Sequence, residues 1–353
     1  MTYPPAPPPY GYGGYPPPPP KPGVIPLAPL GLGAILSGAF GTFGRHWKQL
    51  LGLAAAVYGG AILLVGAALL LAFAAVGDLF PAVFDTPDGQ EPPWDDVRPL
   101  LFAFVCVWIA GTLVVLCANA VMAAACPAVV QEAVLGRSLT FGALWRRSWA
   151  RMPSVLGTVI LTSLALAVPL LLMLVAFVGM VIGMIASVDT ASGLSDSEGW
   201  TVALIALATA LLVTPLALWI WVKFSLAPAA AVMEGQGAFA SMRRSSDLVR
   251  GSWWRVFGIL LLVGLMTTVV SWLIQQILSL VVSTPLAGLD FSDGEPATVI
   301  AAVVVVVAVM LLGQLVSQVI VSVFPPLVTA LLYVDQRLRK ENLGPELARA
   351  AGY

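Results

Sequence analysis

Six stretches of the chain run long enough without a charge to cross a bilayer: 49–77, 99–131, 152–188, 199–222, 256–289 and 296–334. About 20 apolar residues let a helix cover a hydrocarbon core roughly 30 Å thick. In lipid every backbone N–H and C=O must be satisfied within the segment, so runs of this length fold as helices. The longest, 296–334, has 39 residues and no polar turn inside it. Pro325 and Pro326 near its end predict one span at about 297–322, then a turn and a helix leaving the membrane. Pro169 near the middle of the 152–188 run predicts a kink rather than a break. The predicted fold is all-α and polytopic, with six spans at about 50–76, 99–125, 154–186, 200–222, 256–283 and 297–322.

Composition excludes the soluble alternatives. Charged residues make up 10% and apolar ones 59%, against roughly 25% charged in a soluble domain. So little charge cannot cover a water-facing surface, and it argues against nucleic acid as a partner. Cys106, Cys117 and Cys126 lie 11 and 9 residues apart, with no CxxC and no histidine cluster beside them. That spacing fits neither a disulfide framework nor a zinc site. They read as small packing residues, with acylation of a thiol near the interface as an alternative for Cys126 alone. His46 is the only histidine, which rules out any mechanism needing two. No phosphate-cradling, zincin or nucleophile-elbow motif is present, and no polar stretch reaches 50 residues. The expectation is a protein without cofactor or metal and without an appended catalytic domain.

The ends differ from the spans. Residues 1–30 hold 13 of the 28 prolines and four of the seven tyrosines. Proline removes donors and fixes φ, so this segment reads as a disordered, polyproline-rich tail. It lacks the apolar core of a signal peptide. In 31–48, Leu32, Ile35, Leu36, Phe40, Phe43 and Trp47 fall on one helical stripe before Arg45, His46 and Lys48. This predicts an amphipathic helix lying on the membrane surface. Residues 342–353 read as a cytoplasmic C-terminal tail.

Charge partition sets the topology. Segments 78–98, 189–198 and 290–295 together hold 12 of the 18 acids and one of the 17 bases, Arg98. The remaining bases fall before the first span, in the second-to-third and fourth-to-fifth connections, and after the sixth span. Lys and Arg stay on the cytoplasmic side. Both termini are therefore expected inside a bacterial cytoplasmic membrane, which requires an even number of spans.

The basic segments resemble one another. Trp47, Trp149 and Trp253 sit in the stretches before spans one, three and five, 102 and 104 residues apart. After spans two, four and six a proline opens a short apolar segment that ends in an acid: Pro127 to Glu132, Pro228 to Glu234 and Pro326 to Asp335. The chain reads as three tandem helix hairpins, each entered through a cytoplasmic amphipathic helix. If Glu132, Glu234 and Asp335 converge, they form either a salt-bridge lock or a headgroup site beside the arginines.

The candidate surface comprises Glu132, Arg137, Arg146, Arg147, Glu234, Arg243, Arg244, Asp247, Arg250, Trp253, Trp254, Arg255, Asp335 and Arg337. Within it, Arg243, Asp247 and Arg250 have the spacing of a helical pair network. Phe239, Met242, Val249 and Trp253 would cover its membrane side. The Trp/Arg stretches read as interfacial anchors or as a platform for lipid headgroups or a protein partner. The spans carry no charge away from their edges, which argues against a proton-coupled transporter. Their amides, Asn119, Gln275, Gln276, Gln314 and Gln318, read as interhelical hydrogen bonders or as the lining of a substrate path.

Four strings carry a family resemblance: KPGVIPLAPLGLGAILSGAF, PAVVQEAVLGRSLTFGALWRR, SLAPAAAVMEGQGAFASMRRSSDLVRGSWWRVFGILLL and PPLVTALLYVDQRLRKENL. Over residues 21–345 they resemble actinobacterial integral membrane proteins similar to the membrane domain attached to some glycerophosphodiester phosphodiesterases. The most telling positions are Ala240, Arg244, Ser245, Leu248, Val249, Gly251, Trp254 and Arg255. The phosphodiesterase domain uses paired histidines and metal-binding acids. This chain has one histidine, so the resemblance implies a membrane module tied to lipid or envelope processes, not the activity. The expected function is a non-enzymatic scaffold or accessory subunit that engages membrane lipids or a protein partner. A lipid or small-molecule translocator, or a regulatory domain for a separate lipid-phosphodiester enzyme, are the alternatives.

Overall fold

The structure is a computed structural model. It describes residues 23–79, 93–186, 196–287 and 296–341 except 27 and 138, and isolated residues 83 and 349. It is all-α over these residues. The helices are α1 (Leu32–Val76), α2 (Trp94–Val134), α3 (Phe141–Ala186), α4 (Asp196–Phe224), α5 (Ala227–Met233), α6 (Ala238–Val249), α7 (Trp253–Ala287) and α8 (Pro296–Glu341), with a 3₁₀ turn at Gly77–Leu79. Six of them are long and apolar enough to cross a membrane.

Consecutive long helices pack as hairpins, α1 with α2, α3 with α4 and α7 with α8, while α8 also lies against α1 and α2. The core gathers at the end of the bundle that carries the basic segments. There the second half of α2 is buried, with Ala118, Ala120, Ala124, Ala125 and Ala128 between its neighbours. Lipid tails are as apolar as leucine, so spans associate by close approach of small residues rather than by expulsion of water. Away from that end, Leu70, Phe104, Leu171 and Leu212 face outward.

Several boundaries differ from the sequence expectation. The surface helix of 31–48 and the first span meet at a kink at His46, whose angles are non-helical (φ −120°, ψ 20°), close to the expected boundary. Its packed face is Ile35, Gly38, Ala39, Thr42 and His46. Leu32, Phe40 and Trp47 of the expected apolar stripe are exposed, as residues facing lipid would be. No turn follows the sixth span: α8 continues through Pro325 and Pro326 to Glu341. Likewise α2 passes through Pro127. Each proline removes one helical N–H and frees a carbonyl one turn back. Cys126 Sγ lies 3.6 Å from the Val323 carbonyl. That thiol is fully buried, so the acylation reading fails. Of Pro127, Pro228 and Pro326, Pro228 alone sits at the start of a new helix, α5.

The expected tail also ends earlier than residue 30. Ile25 and Leu30 are completely buried. Val24 donates its N–H to the Ala133 carbonyl at 3.2 Å. The described residues between 23 and 30 thus form a strap across the basic end of the bundle. Residues 1–22, most of the acidic segments, and 342–353 apart from Arg349 lie outside the described residues.

Candidate functional site

At the basic end, three acids meet arginines in separate locks. The first closes the α2–α3 connection. Arg147 donates from Nη1 to Glu132 Oε1 at 2.9 Å and from Nη2 to Gln131 Oε1 at 2.7 Å. Gly136 makes that geometry available: its φ of 72° ends α2. The Arg137 N–H bonds to the Glu132 carbonyl and the Gly136 N–H to the Ala133 carbonyl, a Schellman turn.

The second lock is built on Glu234, just after α5. Its Oε1 accepts Arg244 Nε at 2.9 Å and its Oε2 accepts Gln236 Nε2 at 2.9 Å. The buried Tyr333 hydroxyl donates to the same carboxylate. Burial and the Glu234 carboxylate push the Tyr333 pKa up, so the hydroxyl stays a donor. Arg244 reaches on to Glu341 at 2.5 Å, and Glu341 accepts Arg337 at 2.8 Å. Tyr333, Arg337 and Glu341 recur at one-turn spacing on a single face of α8, turned towards α6. Gly235, with φ +68°, admits the Arg151 guanidinium: a Cβ there would lie 3.0 Å from Arg151 Nη2.

The third lock holds the strap. Asp335 is fully buried and pairs with Arg255 at 3.0 Å and with Arg339 at 3.0 Å. It also accepts the Leu30 backbone N–H at 2.8 Å. The Leu30 carbonyl in turn accepts Arg255 Nη2 at 2.6 Å and Arg339 Nη2 at 2.7 Å. Every charge here is matched by hydrogen bonds, as a buried carboxylate requires.

The other sequence candidates divide by exposure. Among the described residues, Arg243, Asp247 and Arg250 form no ion pair with one another, and all three are exposed. The helix turns Arg244 rather than Arg243 towards Glu234 and α8. The C-terminal carbonyls of Asp247 and Arg250 instead accept Lys340 Nζ at 2.9 and 2.6 Å. Val249 is buried, and Phe239 is 77% exposed. Trp253 stacks on Phe257 at 5.1 Å, while Trp254 is 78% exposed. Arg137 and Arg146 are exposed. The Trp145 and Trp149 rings lie 5.9 Å apart, tilted at 48°, on the exposed face beside Arg146. Lys223 lies over the Trp219 ring at 4.4 Å.

Of the membrane amides, Asn119 and Gln318 meet. Asn119 Oδ1 accepts Tyr58 Oη at 2.6 Å and Gln318 Nε2 at 3.2 Å. Gln275, Gln276 and Gln314 are exposed on the bundle surface. Sequence reasoning missed Tyr58, Tyr333, Arg339, Glu341 and the Leu30 backbone. The i, i+4 series 333/337/341 and 335/339 was a usable signal for the α8 residues.

A family model described as a domain of unknown function (DUF7847) matches residues 51–335. No curated protein and no solved structure matches the chain.

Proposed function

The chain belongs to the DUF7847 family, and we propose that it serves as a non-enzymatic scaffold of the bacterial cytoplasmic membrane that gathers anionic lipid headgroups on its cytoplasmic face. The observation that carries this reading is the division of the arginines. Arg147, Arg244, Arg255, Arg337 and Arg339 are bonded to acids within the fold. Arg45, Lys48, Arg146 and Arg243 are exposed. Exposed aromatics accompany them: Trp47 beside Lys48, Trp145 and Trp149 around Arg146, and Phe239 one turn before Arg243. Trp sits at headgroup level in bilayers, and Arg or Lys there meets lipid phosphate while its stem lies along apolar surface. Each basic residue near an anionic membrane surface contributes about 1 kcal/mol.

The self-satisfied locks support a scaffold rather than an enzyme, because their acids and arginines are already committed to each other. The experiment is native mass spectrometry of the full chain released from nanodiscs of mixed anionic and zwitterionic phospholipid. The expected result is selective retention of anionic lipid, lost when Arg45, Lys48, Arg146 and Arg243 are all changed to Gln. Equal retention of the two lipid types by the unsubstituted chain sinks the reading. A protein retained in place of lipid points instead to a partner surface.

A further inference from the structure

We propose that the groove between α1 and α2 is a binding site for an uncharged lipid that carries a hydroxyl or carbonyl oxygen. The groove has a volume of about 770 Å³, within the range of roughly 300–1,000 Å³ typical of small-molecule sites. Leu69, Phe73, Phe104, Trp108 and Val115 wall it, and Asn119 lies on its floor. It is open rather than enclosed, so a molecule dissolved in the bilayer enters sideways.

The floor identifies the occupant. Tyr58 and Gln318 both donate to Asn119 Oδ1. Two donors on one atom fix the amide's orientation and direct Nδ2 away from them. Among the described residues, Asn119 Nδ2 donates to no acceptor. Tyr58 lies 11 residues beyond Trp47, about 16 Å along the helix at 1.5 Å per residue. If Trp47 marks the interface, the floor sits near the middle of a core about 30 Å thick. An unsatisfied N–H at that depth is unfavourable, so an occupant that supplies an acceptor is preferred over one that does not.

Water is a poor candidate, since it needs two to four polar partners and the walls are apolar. The Thr112 hydroxyl is already bonded to the Trp108 carbonyl at 2.8 Å. A charged head is also excluded, because among the described residues no Lys, Arg, Asp or Glu lines the groove and charge is costly at this depth. What fits is a long apolar body with one neutral oxygen. This site shares no residue with the headgroup surface, so it stands or falls separately.

The test uses the full chain in nanodiscs and two photoreactive probes: a diazirine-bearing long-chain alcohol and the matching alkane without the hydroxyl. Adducts are mapped by peptide mass spectrometry. The alcohol is expected to label the walls at Leu69–Phe73 and Phe104–Val115 about tenfold more than the alkane, the scale of one net hydrogen bond. Asn119→Leu is expected to bring the alcohol down to the alkane's level. Gly111→Leu leaves the floor intact and fills the groove, since a Cβ there would lie 3.8 Å from Val65; it is expected to abolish labelling by both probes. Equal labelling by alcohol and alkane overturns the proposal, as does alcohol labelling unchanged by Gly111→Leu. If Asn119→Leu does not fold, the comparison of probes on the unsubstituted chain and on Gly111→Leu decides.

Discussion

Leu30 donates its backbone N–H to the buried carboxylate of Asp335 at 2.8 Å, across 305 residues of sequence. This bond ties the strap at the start of the described chain to the last turns of α8. It places Asp335 at the junction of three partners, with Arg255 and Arg339 completing the set. Removing one member of a buried charged set leaves the others uncompensated and typically costs 3–5 kcal/mol. Arg255 and Arg339 keep 29% and 37% exposure, so water softens the loss. Asp335→Ala is expected to cost about 2–3 kcal/mol, read as lowered thermal unfolding in detergent. Asp335→Asn should fall between, because its oxygen still accepts Leu30 while the two arginines lose their counter-charge. Limited proteolysis should cut near residues 23–30 sooner in both variants. Unchanged protection of the strap would remove the lock from the account.

Close packing of the strap gives a second, independent handle. A Cβ on Gly38 would lie 2.6 Å from Ile25 Cγ2 and 3.3 Å from Leu331 Cδ1. Both neighbours are fully buried, so neither has free space to move into. Gly38→Ala is therefore expected to destabilise by about 1–3 kcal/mol, the usual cost of overpacking a tight core. Ile25→Ala in the same background should restore part of the loss, because it withdraws the clashing methyl. A thermal-melt double-mutant cycle measures this, and strict additivity would contradict the contact.

Acid should loosen the second lock. Burial alone would raise the Glu341 carboxyl, but the Arg337 hydrogen bond and the Arg244 charge outweigh it and hold the pKa below its ordinary 4.5. A carboxyl lowered in the folded state stabilises the fold above its unfolded value and loses that contribution as pH falls through the folded one. Melting temperature should therefore decline as pH drops below about 4.5. Glu341→Gln should flatten that part of the decline while lowering stability near neutrality. Since the side chain is 28% exposed, the difference is small, below about 1 kcal/mol. A pH series of melts in which both forms decline in parallel would disprove the assignment.

Legibility in the sequence followed the physics of each feature. Span number was readable because run length alone decides whether a helix reaches across a bilayer. Glu132, Glu234 and Asp335 were visible as rare acids among bases, and each does bind an arginine. Their pairing was not visible: Glu132 pairs with Arg147 in its own lock, away from the other two. The packed faces were hidden for a different reason. Lipid and protein interior are equally apolar, so Leu70 facing out and Leu53 facing in carry the same hydropathy. The strap was invisible because Leu30 acts through its backbone, which no side-chain pattern encodes. Pro127, Pro325 and Pro326 misled because packing against neighbours overrides their local preference in α2 and α8.

The polar trio within the spans offers the last prediction. Tyr58 and Gln318 bond to one atom, Asn119 Oδ1, from α1 and α8. Interhelical hydrogen bonds in membranes average about 0.6 kcal/mol and reach about 1.7. Tyr58→Phe keeps the ring, which is 4% exposed, and removes only the donor. It is expected to cost about 1 kcal/mol. Gln318→Leu should cost less, since its bond is longer at 3.2 Å. If the two donors support each other by fixing the same amide, the double variant should lose less than the sum of the single losses. Once one donor is gone, Asn119 is free to rotate and the second bond weakens. Unfolding in mixed micelles, measured on all four forms, gives the coupling energy. A value indistinguishable from zero would mean that the two bonds act independently and that Asn119 is held in place by packing alone.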